Sequence, residues 1–424
     1  MRSLALDVHQ GFCEVAIRAA QETRSAGRIK TDRAELELFA RSLDPSDQVV
    51  MEASGPALEI ARIIAPHVAR VVVANASELR AIAHARVKSD RFDARTLAEL
   101  ADAGMLEPVW VPDPDTQALR RRVARRAALV RQRTRAKNEV HAALARCLIA
   151  RPPTSDLFGA AGRAWLERQQ LPAEEQETLA SCLRQIDFLD REIAAIEAKL
   201  ARFALSSAAA RRLMTIPGVG VGTAATLLAA IGDVSRFDCP RKLVAYLGLD
   251  PRVRQSGDQA PRHGRISRRG NPQARAVLVE AAWSALRGPG PLRAFGERIR
   301  ARKGANVAAV ALARKLAVIC WQLLTKEEDY AYARPSLVRA KLRRAERAAG
   351  APRLATRHAG ERVSASAAER RAERELSEQA EAAYRRLVAD WQACGQASKR
   401  KGAGVPPGRA SEAARQGSAP DPAL

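Results

Sequence analysis

The strongest constraint on the fold is a change in hydrophobic periodicity near residue 110. Before that point, short apolar runs of strand length alternate with longer helical patterns. The strand-like runs span 3–8, 13–18, 48–52 and 70–74, and the helical patterns span 33–43, 56–65 and 76 to about 103. The tripeptide at 9–11 predicts a hairpin between the first two strands. Strands that alternate with helices predict a mixed sheet covered by helices, so residues 1–110 should form an α/β domain.

From about 116 to 150 the pattern becomes one long basic helix. Nine Arg or Lys residues and no acidic residue lie between Arg120 and Lys137. An intermittent apolar seam runs along the helix and consists of Leu119, Val123, Val130, Val140 and Leu144. Two consecutive prolines at 152 and 153 then break the chain, because proline cannot continue a helix.

The next helical segment has the most regular periodicity in the sequence. Its apolar residues alternate steps of three and four over more than three heptads, which is the pattern of a coiled-coil seam. The seam consists of Leu179, Cys182, Ile186, Leu189, Ile193, Ile196, Leu200 and Phe203. It can pair with the basic helix of the same chain or with another subunit, and we expect self-association. Residues 111–210 are therefore predicted to form a spacer of basic helix and coiled coil.

Residues 211–327 predict a second compact, mainly helical domain. The sequence MTIPGVGVGTAATLLAAIGD, from Met214 to Asp233, predicts a helix-hairpin-helix whose turn contains Pro217, Gly218 and Gly220. Exposed backbone N–H groups at the start of the second helix would bind a phosphate oxygen, and the glycines would let the backbone come close. The alternative is a plain tight turn between two core helices.

The chain from 328 to 424 is a basic extension rich in Arg, Ala and Glu. A helix is predicted at 367–391. The Gly/Pro/Ser/Arg composition from about residue 396 onward is typical of a disordered tail.

The charge balance points to a polyanionic partner. The 71 basic and 47 acidic residues give a formal net charge of +24, for which nucleic acid is the default partner. The six cysteines are far apart and form no CxxC or Cys/His cluster, which argues against a zinc site or a disulfide framework. We find no signal-peptide pattern and no stretch of about 20 uncharged apolar residues, so we expect a soluble cytoplasmic protein.

Four carboxylates stand where side chains can converge. Asp7 and Glu52 end two predicted strands, and Asp90 and Asp93 lie three residues apart on one face of a predicted helix. Like charges brought together need compensation, and Mg²⁺ prefers such hard oxygen ligands. Two Mg²⁺ ions held in this way could activate the attacking oxygen and stabilise the leaving oxygen of a phosphoryl transfer. The four acids therefore predict an RNase H-like nuclease core.

Each acid taken alone also has an ordinary structural interpretation. An Asp after a strand is usually a turn residue, and an Asp-x-x-Asp near a helix start is usually a cap. His9, two residues after Asp7, could contact a metal-binding carboxylate without binding the metal itself, although a structural or surface histidine is the commoner case.

Ser256 lies between Gln255 and Gly257 on a predicted exposed turn. Six arginines surround it in sequence, at positions Arg252, Arg254, Arg262, Arg265, Arg268 and Arg269. Arginines do not deprotonate a serine, but they can stabilise the charge that develops on an attacked phosphate. His263 is a conceivable base. From the residues alone, the hypotheses of a turn serine and of plain phosphate contacts stay open. The same phosphate-binding prediction applies to Arg120, Arg121 and Arg125 on the basic helix.

The motifs LDVHQ, MEASG, KSDRFDA, IPGVGVGTAATLLAAIGD, LVAYLGLDP, QSG and ISRRGNPQAR occur in one order and spacing. In that order the chain, over roughly residues 3–325, resembles the insertion-sequence one-ten family of bacterial DEDD transposases. These combine a RuvC-like N-terminal domain with a serine-bearing C-terminal transposase domain. The extension past about residue 328 has no counterpart in the resemblance.

The resemblance implies that Asp7, Glu52, Asp90 and Asp93 bind Mg²⁺ and that Ser256 is a nucleophile. The serine would attack a DNA phosphodiester and form a phosphoserine link, in an active site that joins two subunits of a dimer or tetramer. The resemblance also implies a structured non-coding guide RNA and a bacterial, nucleoid-associated location.

Two other functions are weighed against this transposase hypothesis. One is a metal nuclease of the Holliday-junction-resolvase kind, which uses water and leaves Ser256 structural. The other is a catalytically silent nucleic-acid-binding relative that retains the fold. Neither requires a serine nucleophile.

Overall fold

The computed structural model describes residues 2–75, 90–150, 152–351 and 365–402, apart from the side chains of residues 90–92, 263 and 395–402. The chain divides into two units, Met1–Asp113 and Pro114–Leu424. The first is built around a mixed sheet and the second is mostly helical. The finer division into a spacer, a C-terminal domain and an extension stays a prediction.

Five strands form the sheet of the first unit. They are β1 (Ser3–Val8), β2 (Phe12–Ala19), β3 (Glu22–Lys30), β4 (Gln48–Glu52) and β5 (Arg70–Ala74). The strand order is β3-β2-β1-β4-β5, with β1, β2 and β3 antiparallel and with β4 and β5 parallel to β1. The predicted mixed sheet is confirmed, and so is the hairpin, which is closed by a bond from the His9 N–H to the Phe12 carbonyl. This sheet is consistent with the expected RuvC-like domain.

Strand β3 was not predicted from the sequence. Most of its residues are exposed, and it has no run of apolar residues that would predict a strand. It forms because its backbone pairs with β2 at the edge of the sheet. Charged residues on such an edge keep it from pairing with other chains, which also hides it from hydrophobic periodicity.

Helices cover both faces of the sheet. On one face α1 (Arg33–Arg41) and α2 (Ala57–Ile64), followed by a 3₁₀ turn at Ala65–His67, pack on Leu4, Leu6, Val49 and Met51. On the other face α3 (Asp90–Asp102) packs on Ala5, Val50 and Val72. The helix predicted from 76 is confirmed over 90–102, whereas residues 76–89 lie outside the described part of the chain.

Two long helices begin the second unit. These are α4 (Pro114–Arg146) and α6 (Ala173–Ser206), with the short α5 (Ala160–Glu167) between them. Leu119 and Val123 pack near Leu200, whereas Val140 and Leu144 pack near Leu179 and Cys182, so α4 and α6 run antiparallel.

The heptad seam of α6 is therefore occupied within the chain. Its residues from Leu179 to Phe203 are buried or partly buried, and α4 is the main element that they contact. The expectation that this seam serves self-association is corrected: its apolar surface is already covered in cis, so little of it is left for another subunit.

The remaining helices form one large core. They are α7 (Ala208–Met214), α8 (Val221–Ile231), α9 (Pro240–Tyr246), α10 (Pro272–Ala285), α11 (Pro291–Lys303) and α12 (Ala305–Lys326), with a 3₁₀ turn at Val234–Arg236. A two-stranded hairpin, β6 (Pro251–Arg254) and β7 (Arg262–Ile266), separates α9 from α10. Helix α12 is long and apolar enough to cross a membrane, but just over half of its most apolar stretch is buried in the core, as in the central helix of a helical domain.

The C-terminal extension docks on this core. Helix α13 (Pro335–Ala348) inserts Lys341, whose Nζ donates to the carbonyls of Met214 and Ile216 at 2.6 and 2.7 Å. Helix α14 (Ala367–Gly402) packs on α11. It begins where predicted but continues past 391 into the predicted tail, which is therefore wrong for residues 396–402. Residues 403–424 lie outside the described part.

Candidate active site and nucleic-acid surface

Asp7 and Glu52 lie side by side at the ends of neighbouring strands. Leu6 is in register with Met51 in the parallel pair β1–β4, so the next residues, Asp7 and Glu52, are also adjacent. Side chains alternate along a strand, so Asp7 shares a face with Ala5. Ala5 packs toward α3. Both carboxylates therefore belong to the face that α3 covers.

The direction of α3 brings its first turn to the same edge. Arg18 is opposite Ser3 in the β1–β2 ladder, and its Nε donates to Asp102 Oδ2 at 2.8 Å. The last residue of α3 thus lies near the start of β1, so the helix runs back toward the end of that strand. From Asp93 to Asp102 the helix rises roughly 13 Å, about the length of β1 from Ser3 to the first carboxylate.

Asp90 and Asp93 are both in this first turn of α3. Asp93 is partly buried, and it precedes Ala94, which is fully buried. The side chain of Asp90 lies outside the described set. Among the side chains that are described, no three His, Cys, Asp or Glu groups come close enough together to hold a metal ion. The elements thus bring the four acidic positions to the end of the sheet where β1 and β4 finish. The described side chains do not form a metal cluster there.

The donor chemistry at this edge fits a divalent cation. The Asp7 side chain is only 18% exposed, and it shares its face with Glu52. Carboxylates gathered in this way repel each other unless a cation compensates, and hard oxygen donors suit Mg²⁺. His9 adds a contact that the sequence alone rated low, because its Nε2 lies 3.0 Å from Asp7 Oδ2. His9 therefore orients one oxygen of Asp7.

Ser256 lies at the tip of the β6–β7 hairpin, which the sequence analysis predicted only as an exposed turn. The serine is exposed, and its carbonyl accepts a 3.3 Å bond from the Gln259 N–H. Gly257 follows with φ of +53°, a conformation that favours glycine. The two strands are held by the pairs Pro251–Ile266 and Arg254–Arg262. The hairpin thus presents the serine hydroxyl to solvent on a hydrogen-bonded support.

The arginines around Ser256 are exposed cations. They are Arg252, Arg254, Arg262, Arg265, Arg268 and Arg269. Within the described part of the chain, none of the six forms an ion pair with a carboxylate. The Arg252 guanidinium donates only to the Ser267 carbonyl, at 3.3 Å. Exposed guanidinium groups without acidic partners suit phosphate oxygens, which they can bind in a bidentate way. The side chain of His263, the conceivable base, is not among those described.

The glycine turn between α7 and α8 has two different faces. Gly218 has φ of +86°, and a Cβ there would lie 2.3 Å from the Ala281 carbonyl oxygen. This glycine is therefore required by packing against α10, together with Pro217 in a turn closed by the Val219 N–H and the Ile216 carbonyl. Gly220 has open space around its Cβ position and caps α8 without a side-chain bond. Of these two glycines, Gly220 is the one with an open side.

The prediction that Arg120 contacts phosphate is wrong. Its guanidinium points into the helical core and donates to the carbonyls of Ala229 and Ala230, at 2.7 and 3.3 Å. Carbonyls at the end of a helix lack intrahelical partners, so a cation there is stabilising. Arg121 and Arg125 are exposed and stay candidates for nucleic-acid contact. Sequence could not separate them, because all three belong to one unbroken basic run.

The sequence of this chain is similar to those of known transposases. Residues 4–149 match a DEDD transposase model, and residues 210–297 match the model described as the transposase IS116/IS110/IS902 family. A probable family 20 transposase of Pseudomonas aeruginosa is 32% identical over 322 residues, covering 72% of this chain and 91% of that protein. The chain belongs to the IS110 family of transposases. It is therefore an enzyme that recombines DNA, and its DEDD domain indicates dependence on divalent metal in general.

Two further relatives are similar to a smaller share of the chain. The transposase for insertion sequence element IS1111A of Coxiella burnetii is 32% identical and covers 57% of this chain and 68% of that protein. The pilin gene-inverting protein of Moraxella lacunata is 26% identical and covers 66% of this chain and 81% of that protein.

Proposed function

We propose that this transposase cuts and rejoins DNA strands by Mg²⁺-dependent phosphoryl transfer with Ser256 as the nucleophile. The observation that carries the proposal is the exposed Ser256 on a hairpin whose six arginines have no acidic partner among the described residues. Asp7, Glu52, Asp90 and Asp93 would hold the metal, in a domain that we infer to be RuvC-like.

In the first step the Ser256 Oγ attacks a DNA phosphorus. A P–O bond forms to the serine while the bond to one deoxyribose oxygen breaks, and that oxygen takes up a proton. The hairpin arginines stabilise the negative charge that grows on the phosphoryl oxygens. The hydroxyl of a second strand then attacks the phosphoserine and releases the serine. Bound Mg²⁺ would polarise the phosphoryl group and favour the leaving oxygen.

The acidic domain supports this chemistry by holding its carboxylates in place. Asp7 and Glu52 are fixed by strand pairing, and His9 restrains one oxygen of Asp7 through the 3.0 Å contact. Asp93 belongs to a helix that packs on the sheet through Leu97 and Ala98, and the next residue, Ala94, is fully buried. Carboxylates held on paired strands and a packed helix lose little freedom on binding a cation, which favours metal binding at this edge.

We also propose that the turn at Gly220 binds a DNA phosphate in the manner of a helix-hairpin-helix. The start of α8 is only partly covered, and the Arg126 guanidinium lies 3.8 Å from the Cβ position of Gly222. A helix N-terminus with a nearby cation favours an anion. Arg126 also pairs with Glu197, so its charge is shared between the two.

A structured non-coding guide RNA and a homo-oligomer complete the proposal. The net charge of +24 and the exposed Arg121 and Arg125 support a second nucleic acid besides DNA. Sequencing of RNA that copurifies with the transposase tests this partner. Recovery of one RNA encoded beside the gene supports it, and recovery of no enriched RNA contradicts it. We infer that α4 and α6 form an intramolecular coiled coil. Because α4 covers the heptad seam of α6, this seam does not support oligomerisation.

The decisive experiment is strand exchange on donor and target DNA with Mg²⁺. We expect Ser256→Ala to abolish both exchange and the covalent protein–DNA adduct, and Gln255→Ala in the same exposed loop to retain both. Asp93→Asn should abolish activity, whereas Asp102→Asn at the other end of α3 should retain it. Removal of Mg²⁺ by a chelator should stop the wild-type reaction, and added Mg²⁺ should restore it.

The competing functions predict different outcomes. If Ser256→Ala still cleaves DNA while Asp93→Asn does not, the enzyme uses water in the manner of a resolvase and the serine proposal is wrong. A wild-type protein that binds DNA but never breaks it, with any divalent metal, would instead be a catalytically silent relative.

A further inference from the structure

Helix α14 has one face docked on the core. Glu381 is 4% exposed, and its carboxylate accepts a 2.9 Å bond from the Gly290 N–H and an ion pair from Arg293 at 2.8 Å. Val388, two turns further on, is also buried. These contacts fix the rotation of α14 about its axis and so determine which residues face outward.

The next face around the helix carries an apolar stripe. Leu376, Leu387 and Trp391 are 65%, 45% and 51% exposed. With the smaller side chains of the same stripe, its members repeat in steps of three and four, and they are Leu376, Ala380, Ala383, Leu387, Trp391 and Cys394. The stripe is one continuous face of the helix, and unlike the seam of α6 it is not covered by the described part of the chain.

We propose that this stripe binds the same stripe of a second copy of the chain, with the two α14 helices antiparallel. A two-fold axis that passes through the stripe at the level of residue 385 would place Leu376 opposite Cys394. It would also place Ala380 opposite Trp391, and Ala383 opposite Leu387. Each large side chain then meets a smaller one of the partner, which is the complementarity that a packed interface needs.

The charges of α14 favour the antiparallel arrangement. Residues 367–382 contain five acidic and three basic residues, whereas residues 383–394 contain one acidic and two basic residues. An antiparallel pair places each acidic half against the basic half of its partner, and a parallel pair would place like charges together. The acidic half also disfavours a nucleic acid or an anionic membrane as the occupant of the stripe.

The surface lies outside the parts of the chain that match the family models, which are residues 4–149 and 210–297. It therefore adds an assembly contact to the family scaffold. The inference deepens the proposed homo-oligomer but does not depend on Ser256, because a Ser256→Ala variant should retain the contact.

Cysteine crosslinking of the full-length protein tests both the contact and its direction. Cys394 is exposed and serves as one partner. In the antiparallel dimer, Leu376→Cys should give a covalent dimer with a short bis-maleimide, because residue 376 meets Cys394 of the other copy. The Leu376→Cys/Cys394→Ser variant should fall to the background of Cys394→Ser alone, which accounts for the other cysteines.

A second pair of variants separates the stripe from the rest of the helix. In the Leu376→Cys background, Leu387→Glu should lower the crosslinked fraction at least tenfold, whereas Ala382→Glu on the opposite face should leave it unchanged. Dimers from the unmodified Cys394, or from Leu376→Cys/Cys394→Ser, would indicate a parallel pair and overturn the proposal. A crosslink yield at background, with both thiols shown to react with a monofunctional maleimide, would overturn it as well.

Discussion

Arg120 and Arg121 are neighbours in one basic run, yet they have different surroundings. Arg120 donates to two carbonyls at the end of α8, and Arg121 is exposed. The rotation of α4, set by its apolar contacts with α6 and α8, decides which arginine turns inward. A basic run therefore overstates the number of residues that can reach a phosphate.

Alanine substitutions should separate these two roles. We expect Arg120→Ala to lower the free energy of unfolding by about 2 kcal/mol, because it leaves buried carbonyls without a charged donor. Arg121→Ala should leave stability unchanged and reduce the slope of DNA affinity against salt by about one phosphate contact. Urea denaturation and DNA binding at several salt concentrations measure both. Equal stability of the two variants would contradict the inward role of Arg120.

Titration of Lys341 should change the free energy of unfolding. Burial, together with the smaller effect of the positive charge of Arg334, lowers its pKa from 10.5 to about 8. The unfolded chain therefore binds more protons than the folded one between these two values. Stability from this residue is lowest below pH 8 and rises as the pH increases toward 10.5.

This titration gives a pH-dependent difference between the wild type and Lys341→Met. Between pH 7.5 and 10, the Lys341 contribution should raise the free energy of unfolding by about 2 kcal/mol, and the variant should lack that rise. Urea denaturation of both proteins at each pH measures the difference, in which other titrating groups cancel. Parallel pH profiles of the two proteins would contradict the lowered pKa.

At the scale of elements, the turn between α7 and α8 combines a packing requirement with an open approach. Gly218 touches the backbone of α10, and Gly220 touches nothing within 4 Å of its Cβ position. The sequence assigned both glycines to phosphate binding, because spacing alone cannot distinguish a close approach to the protein from one to a ligand. Only the neighbouring α10 settles the role of Gly218.

The two glycines should respond differently to alanine. Gly218→Ala should destabilise the helical unit by about 3 kcal/mol or more, because it combines a strained φ with a backbone clash. Gly220→Ala should cost less than about 1 kcal/mol, since its conformation suits any residue. If the turn binds phosphate, Gly220→Ala should weaken DNA binding without a matching loss of thermal stability. Equal thermal shifts for the two variants would contradict this division.

At the scale of the molecule, the acidic positions and the exposed arginines lie in different units. The sheet unit gathers acidic positions at one edge, and the helical unit carries the exposed arginines of α4 and of the hairpin. Several arginines of α4 are neutralised by acids of α6, as in the pairs Arg126–Glu197 and Arg133–Asp190. Fewer basic side chains are therefore available for nucleic acid than the total of 71 suggests, and those exposed arginines are concentrated on particular surfaces.

Binding of DNA should depend steeply on salt. If the six hairpin arginines contact phosphates, affinity should fall roughly a thousandfold between 50 and 200 mM salt, because each neutralised phosphate releases counterions. Arg262→Ala/Arg265→Ala should make this slope shallower by about two contacts, whereas the paired Arg133→Ala should barely change it. A flat salt response of the wild type would contradict the assignment of these arginines to phosphate.

Much of this protein could be predicted from the sequence. Strands β1, β4 and β5 and the long helices have strong apolar periodicity, because burial of one face dictates which residues may be polar. The order of the acidic and glycine-rich motifs also predicted the family. The exposed edge strand β3 and the arginine-rich β6–β7 hairpin were missed, because backbone pairing rather than apolar contact holds them.

The tertiary structure decided which apolar surfaces are covered by the chain itself and which stay exposed. The heptad seam of α6 is covered by α4 of the same chain, while the apolar stripe on α14 is left exposed. Both have apolar residues in steps of three and four, and such a pattern specifies that a face is apolar but not what covers it. The partner of each face depends on how the whole chain packs, and only the three-dimensional arrangement of the helices determines that.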